Sequence, residues 1–258
     1  MNLTKRQKII VASVILTFGL LSTQLVDFNL RFKFLAGLTI LAYIVSLWAL
    51  WEGINFIKAV ILLILPTLFT LGLASFYFLL PVRWLTRLPV ALIFGLSFYS
   101  LLLSQNVFNV ASIRTIPLYR AASTTAFLFT LITAFFIFNV IHAFNLLFIF
   151  NGLLVFTLSF PLIAQILWSI EMKEKLDSSV FIHSFILSLS LGEISLVLSF
   201  WPMVTTMWSL SLASVMYVLV GLSTQVLRDR ITKRVFWEYL TIGALIFLVA
   251  YITTSWSG

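Results

Sequence analysis

QNVFNVASIRTIPLYRAAS, residues Gln105–Ser123, is the longest polar interruption between the hydrophobic segments of this chain. It carries Arg114 and Arg120, and apolar segments of membrane-spanning length lie on both sides of it. Charged and amide groups are costly in hydrocarbon, so we expect this stretch to lie at a membrane interface or against other protein. It divides the chain into four apolar segments before it and five after it.

The amino-acid composition indicates whether the surface of this protein faces water or lipid. Of the 258 residues, 62% are hydrophobic and only 9% are charged, whereas soluble domains usually carry about 25% charged residues. So few charges could not cover a surface that faces water. We therefore predict an all-α integral membrane protein, a bundle of about nine transmembrane helices that forms a single polytopic membrane domain over residues 1–258. The lipid bilayer is then its first partner.

The apolar segments set the expected helices, because spans of roughly 17–25 residues match a hydrocarbon core of about 30 Å. The predicted spans are residues 9–26, 34–51, 59–80, 89–105, 117–141, 146–168, 180–201, 203–227 and 236–256.

The basic residues predict the orientation of these spans. If the N-terminus is cytoplasmic, most lysines and arginines fall in inner segments, and only Arg31, Lys33, Arg83 and Arg87 fall outside. The positive-inside rule then gives a multi-pass protein of the cell (plasma or inner) membrane with its N-terminus in the cytoplasm and its C-terminus outside. The net charge of +8 is explained by this placement and by anionic headgroups, so no nucleic-acid partner is expected.

The residue inventory excludes most membrane chemistries. The chain has no cysteine and only two histidines, without an HExxH pattern, and no lysine lies in the middle of a span. Its aspartates all fall between spans, so an intramembrane aspartyl pair is absent. We therefore assign no catalytic residue, metal ligand or cofactor, and the pattern favours a protein that is not an enzyme.

The remaining polar candidates converge on the outer half of the membrane. Glu193 is the only ionisable residue deep within a span, about 12 Å from its outer end at 1.5 Å per residue. At similar depth or just above lie Asn151, His142 and Asn145, and Arg83 and Arg87 belong to an outer loop. One interpretation is an outward-facing cavity with a cationic rim and one protonatable acid. The other is a set of interfacial anchors plus a glutamate that is bonded to a neighbouring helix, with Asn151 as its expected partner.

The seventh span carries a stripe of small residues at helical spacing: Ser184, Ser188, Gly192, Ser195 and Ser199. Such stripes let membrane helices approach closely. Glu193 lies about 140° around the helix from the middle of the stripe, at 100° per residue. With a packing stripe on one side and a carboxylate near the other, this helix is expected to be central in the bundle.

The two arginines of the central stretch have two interpretations. Together with Asn106, Asn109, Ser112 and Tyr119 they could bind a lipid phosphate or the acidic tail of a partner. Alternatively, they are orientation charges in a folded loop. We name Arg83, Arg87, Arg114 and Arg120 as candidates for lipid headgroups. The amino-acid sequence of Phe108–Ala122 resembles a segment of uncharacterised multi-pass bacterial membrane proteins, and this resemblance implies no activity.

Three functions remain open. The favoured one is a non-catalytic component that assembles with other membrane subunits. The second is a transporter or permease for a small or lipid-like solute, with Glu193 as the coupling acid. The third is an enzyme on a lipid-linked phosphate, with Arg83 and Arg87 binding phosphate and His142 or Glu193 as acid or base.

Overall fold

The computed structural model describes residues 4–23, 30–80, 84–111, 117–172 and 177–254 of the chain. Within these residues it contains nine α-helices and no β-strand. The prediction of an all-α protein with about nine long helices is therefore confirmed. The helices are α1 (Lys5–Ser22), α2 (Arg31–Leu50), α3 (Phe56–Leu79), α4 (Trp84–Ala111), α5 (Tyr119–Ala143), α6 (Phe148–Glu171), α7 (Ser178–Leu198), α8 (Thr205–Leu227) and α9 (Lys233–Thr253).

Eight of these helices, α2 to α9, are long and apolar enough to cross a membrane. This is the pattern of a multi-pass membrane protein. The first helix differs because its 18 residues include Lys5, Arg6 and Lys8. The rest of α1 is mostly apolar, and it buries residues such as Leu16 and Leu20. The ninth crossing by α1 and the orientation of the termini stay predictions.

The middle of the chain is more helical than its polar residues suggest. α4 begins at Trp84 rather than Pro89 and continues to Ala111, so the start of the central stretch forms the last turns of this helix. Gln105 and Asn109 are buried there. Their burial agrees with the expectation that the stretch lies against protein. Residues 112–116 of the same stretch lie outside the described residues.

The chain divides into two compact units, Met1–Thr133 with Met172–Lys175 and Ala134–Glu171 with Leu176–Gly258. The single membrane domain over residues 1–258 stays a prediction. In the first unit, α1 packs against α2 and α4, and α3 packs against α2 and α4. Its core is aromatic: the ring of Phe69 stacks on Phe94 at 5.8 Å between centroids and meets Phe129 edge-on at 5.7 Å.

A polar cluster ties together three helix ends of the first unit. We call Lys5, Lys8, Glu52 and Asn109 the polar clamp. The Glu52 carboxylate, in the turn after α2, lies 3.1 Å from Lys8 Nζ and 3.6 Å from Lys5 Nζ. The amide of Asn109, on α4, donates to the backbone oxygens of Glu52 at 3.0 Å and Leu50 at 3.4 Å. These carbonyls lie in the last turn of α2 and in the turn after it, where intrahelical donors run out.

The polar clamp also shifts the pKa of its acidic residue, Glu52. The hydrogen bond from Lys8 lowers the pKa of the Glu52 carboxyl below its ordinary value, and the charges of Lys5 and Lys8 act in the same direction.

In the second unit, α6, α7 and α8 pack against one another, and α9 packs on α8. Tyr239 of α9 fits against Gly221 of α8, where a side chain would collide with its ring. Among its described residues, α9 buries only Gly243 and Ala250. It therefore lies at the periphery of this unit.

Candidate functional site

The covered face of α7 matches the stripe that the sequence predicts. Four of its five small residues, Ser184, Ser188, Gly192 and Ser195, are buried, and α7 packs most extensively on α6. A β-carbon added at Gly192 would lie 2.9 Å from the carbonyl oxygen of Gly152, and one added at Gly152 would lie 2.6 Å from the side chain of Leu196. The two helices approach closely because neither glycine has a side chain.

The opposite face of α7 is uncovered, which corrects the expectation that this helix is central. Its exposed residues at helical spacing are Ile186, Leu189, Glu193 and Val197, and we call them the Glu193 strip. The angle predicted between the stripe and Glu193 is consistent with this burial pattern. The error lay in assuming that a second face must also be covered by this chain.

Glu193 lies closer to the end of its helix than predicted. Since α7 ends at Leu198 rather than Trp201, the residue is five positions, or about 7.5 Å, from the helix end. Its neighbours along the exposed face are apolar, with Leu189 a turn before it and Val197, 71% exposed, a turn after it. Its carboxylate makes no hydrogen bond or ion pair with any described residue.

Asn151 makes no hydrogen bond with Glu193, which corrects the expected contact between them. Asn151 is buried in the first turn of α6, and its amide donates to Ser199 Oγ at 3.2 Å. Within the described part of the chain, its own Oδ1 has no hydrogen-bond partner. The two residues have similar depth but face different sides, because depth along a helix says nothing about direction around it.

His142 and Asn145 occupy the end of α5. The His142 ring is in the last turn, with its Nδ1 3.2 Å from Thr205 Oγ1. It packs against the Trp208 ring at 4.7 Å between centroids, with the ring planes tilted by 35°. Asn145 is exposed and has a positive φ of 48°. Asparagine is one of the few residues that adopt this left-handed conformation readily, so it suits the turn between α5 and α6.

Arg87 lies in the first turns of α4 rather than in an outer loop, and it is 4% exposed. This corrects its expected place on a cationic rim. Its guanidinium lies over the ring of Tyr77, 5.5 Å from the centroid, and its Nε has no hydrogen-bond partner among the described residues. Burial of this cation is therefore supported by an aromatic face.

The other three arginine predictions have different outcomes. Arg120 is exposed in the first turn of α5, where a long side chain can reach headgroups. Arg83 and Arg114 lie outside the described residues, so their roles stay predictions.

Sequence reasoning missed two polar contacts between distant residues. Asn139, on α5, donates to Ser209 Oγ on α8 at 3.2 Å. The clamp residue Asn109 reaches 57 positions back along the chain to Glu52. An amide within an apolar span is the signal for such contacts, because hydrocarbon offers it no partner. The sequence does not say which helix supplies that partner.

The candidate site has no composition that suits a metal. Among the described residues, no three histidine, aspartate or glutamate side chains come together closely enough to hold an ion. What the arrangement offers is a carboxylate on an apolar strip, without a partner among the described residues, on a closely packed pair of helices.

Comparison with known proteins identifies a family without an activity. Residues 51–253 match a family described as protein of unknown function (DUF5656). No curated protein and no solved structure matches the chain. The matched range runs from the turn after α2 to the end of α9, so it contains Glu193 and both glycines of the α6–α7 contact. The chain therefore belongs to this family of proteins of unknown function.

Proposed function

We propose that this chain is a non-catalytic subunit of a membrane assembly, and that the Glu193 strip contacts a transmembrane helix of a different protein. The observation that carries this proposal is the exposed carboxylate of Glu193 with no partner among the described residues. Ionisable groups within membrane helices are costly and usually pair with another group or face a protein interior.

The chemistry of the strip specifies the partner. Its apolar residues Ile186, Leu189 and Val197 provide packing area, and Glu193 provides an acceptor for a cation or a hydrogen-bond donor. Every described lysine and arginine of this chain lies within the first four residues of a helix or between helices. A second copy would therefore offer Glu193 no lysine or arginine at the same depth, and its amide at similar depth, Asn151, is buried and donates to Ser199. A helix with lysine, arginine or an amide side chain at that depth complements the strip better.

The same contacts favour this function over the alternatives. A transporter that uses Glu193 as its coupling acid needs a water-filled path around the carboxylate, whereas the neighbours of Glu193 along the strip are apolar. An enzyme that uses His142 with phosphate-binding arginines needs those groups to converge. His142 instead contacts Thr205 and Trp208, and Arg87 contacts Tyr77.

Photo-crosslinking in the host membrane tests the proposal. A photoreactive phenylalanine analogue at Val197, one turn from Glu193, is expected to give one discrete adduct with another membrane protein. Glu193→Leu should abolish this adduct. The matched control places the analogue at Leu245 of α9, which is 58% exposed and apolar but has no carboxylate beside it.

Charge exchange decides whether an adduct reflects the proposed pairing. Glu193→Lys should abolish the adduct, and glutamate in place of the partner's cationic or amide residue should restore it. An adduct that survives Glu193→Leu, an adduct with a second copy or within the chain itself, or labelling of lipid alone would each contradict the proposal.

A further inference from the structure

A groove in the first unit runs between α1 and α2, away from every candidate residue that the sequence suggests. It has a volume of about 390 Å³ and is open along one side. This volume is in the range of ligand clefts in proteins. Its walls are largely apolar and are formed by Gly19, Leu30, Phe34, Gly37, Leu38 and Leu41.

Two glycines, Gly19 and Gly37, determine the shape of the groove. A β-carbon added at Gly37 would have no atom within 4 Å, so this position is open space. At Gly19 a β-carbon would lie 2.6 Å from Leu38 Cδ1, so the helices touch there and form the floor. From Lys33 to Leu41 the groove follows α2 for about 12 Å, at 1.5 Å per residue.

One end of the groove is polar and cationic. Lys33, in the first turn of α2, and Ser22, at the end of α1, line it. Lys33 is exposed, and its ammonium has no ion pair or hydrogen bond with any described residue. The neighbouring cation Arg31 is engaged differently, since its guanidinium lies 5.6 Å from the centroid of the Phe78 ring.

We infer that this groove binds one anionic phospholipid, with an acyl chain between α1 and α2 and the phosphate at Lys33. An apolar channel that begins at a helix end and carries a cation at its mouth is complementary to both parts of such a lipid. A free phosphate would use only Lys33 and leave the apolar walls exposed. The site is independent of the Glu193 strip.

Native mass spectrometry of the full-length chain in detergent tests the site. The probes are palmitoyl-oleoyl phosphatidylglycerol and the corresponding phosphatidylcholine, offered together in equal amounts. The wild-type chain is expected to retain one phosphatidylglycerol with a preference of about fivefold, the effect of one lysine near an anionic headgroup. Lys33→Gln should remove the preference, and Gly37→Leu, which fills the groove, should reduce retention of both lipids.

Two matched variants control for charge and bulk. Lys233→Gln removes one exposed cation from the start of α9, and Ala36→Leu adds bulk on an exposed part of α2 that does not line the groove. Both should bind as the wild type does. Equal retention of the two lipids by the wild-type chain, or wild-type behaviour of Lys33→Gln and Gly37→Leu, would overturn the inference. Loss of lipid in Ala36→Leu would also overturn it, because binding would then be annular.

Discussion

Two glutamates of this protein differ in their surroundings. Glu52 accepts from Lys8 at 3.1 Å, its carbonyl accepts from Asn109 at 3.0 Å, and its charge is matched by cations of α1. Glu193 lies on an apolar strip, and its carboxylate has no hydrogen bond or ion pair within the described chain. The contacts of Glu52 explain it as part of the fold. Glu193 has no such explanation, which is why we propose that it takes part in recognition.

The largest expected effect comes from the covered side of α7, next to Glu193 in sequence. Gly192→Leu places its β-carbon 2.9 Å from the Gly152 carbonyl oxygen, so α6 and α7 must separate. We expect a loss of about 3 kcal/mol or a failure to fold, as measured by thermal unfolding in detergent. Gly37→Leu is the control, because the same substitution there meets open space. Equal stability of the two variants would contradict the close α6–α7 contact.

The second largest effect on stability is expected from substitutions in the polar clamp. Asn109→Leu leaves the carbonyls of Leu50 and Glu52 without this donor, and we expect a cost of about 1–3 kcal/mol. Asn109→Asp keeps the shape but replaces the donor with an acceptor, so its free energy of unfolding should fall at least as much. If both variants unfold like the wild type, the clamp does not stabilise the protein.

A smaller effect should appear with pH. Because the pKa of Glu52 is lowered on folding, its ion pair contributes stability above the ordinary carboxyl value of 4.5. That contribution should be lost as pH falls through the lowered pKa of the folded state. The melting temperature of the wild type should therefore decrease more on acidification than that of Glu52→Gln. Parallel pH profiles of the two proteins would show that the ion pair of Glu52 does not contribute to stability.

The smallest effect is expected at Glu193. In detergent, without a partner, Glu193→Leu should change the free energy of unfolding by less than about 0.5 kcal/mol, as exposed substitutions usually do. A loss as large as that of Asn109→Leu would show that Glu193 has a partner within its own chain. Glu193 would then resemble Glu52 in having its partner within the chain.

The sequence located the helices well, because their length and apolar composition are set by the membrane and need no partner. It misplaced the end of α4, since Gln105 and Asn109 look like loop residues when their distant acceptors are unknown. It identified the stripe around Gly192, because spacing along one helix fixes which residues share a face. It could not tell that the face bearing Glu193 is uncovered, or that Asn151 donates to Ser199, because the direction of a neighbouring helix depends on the whole packing.

The polar clamp has a consequence for the synthesis of this protein. The ribosome delivers Lys5 and Lys8 before Glu52, so their ion pairs can form as soon as the turn after α2 emerges. The amide of Asn109 follows the carbonyls of Leu50 and Glu52 by 59 and 57 residues. Until α4 is made, the carbonyl of Leu50 lacks this donor and stays open to water or lipid headgroups, whereas that of Glu52 can already accept from Lys5 Nζ at 3.2 Å. Completion of the clamp therefore requires α1, the end of α2 and α4 to be present together.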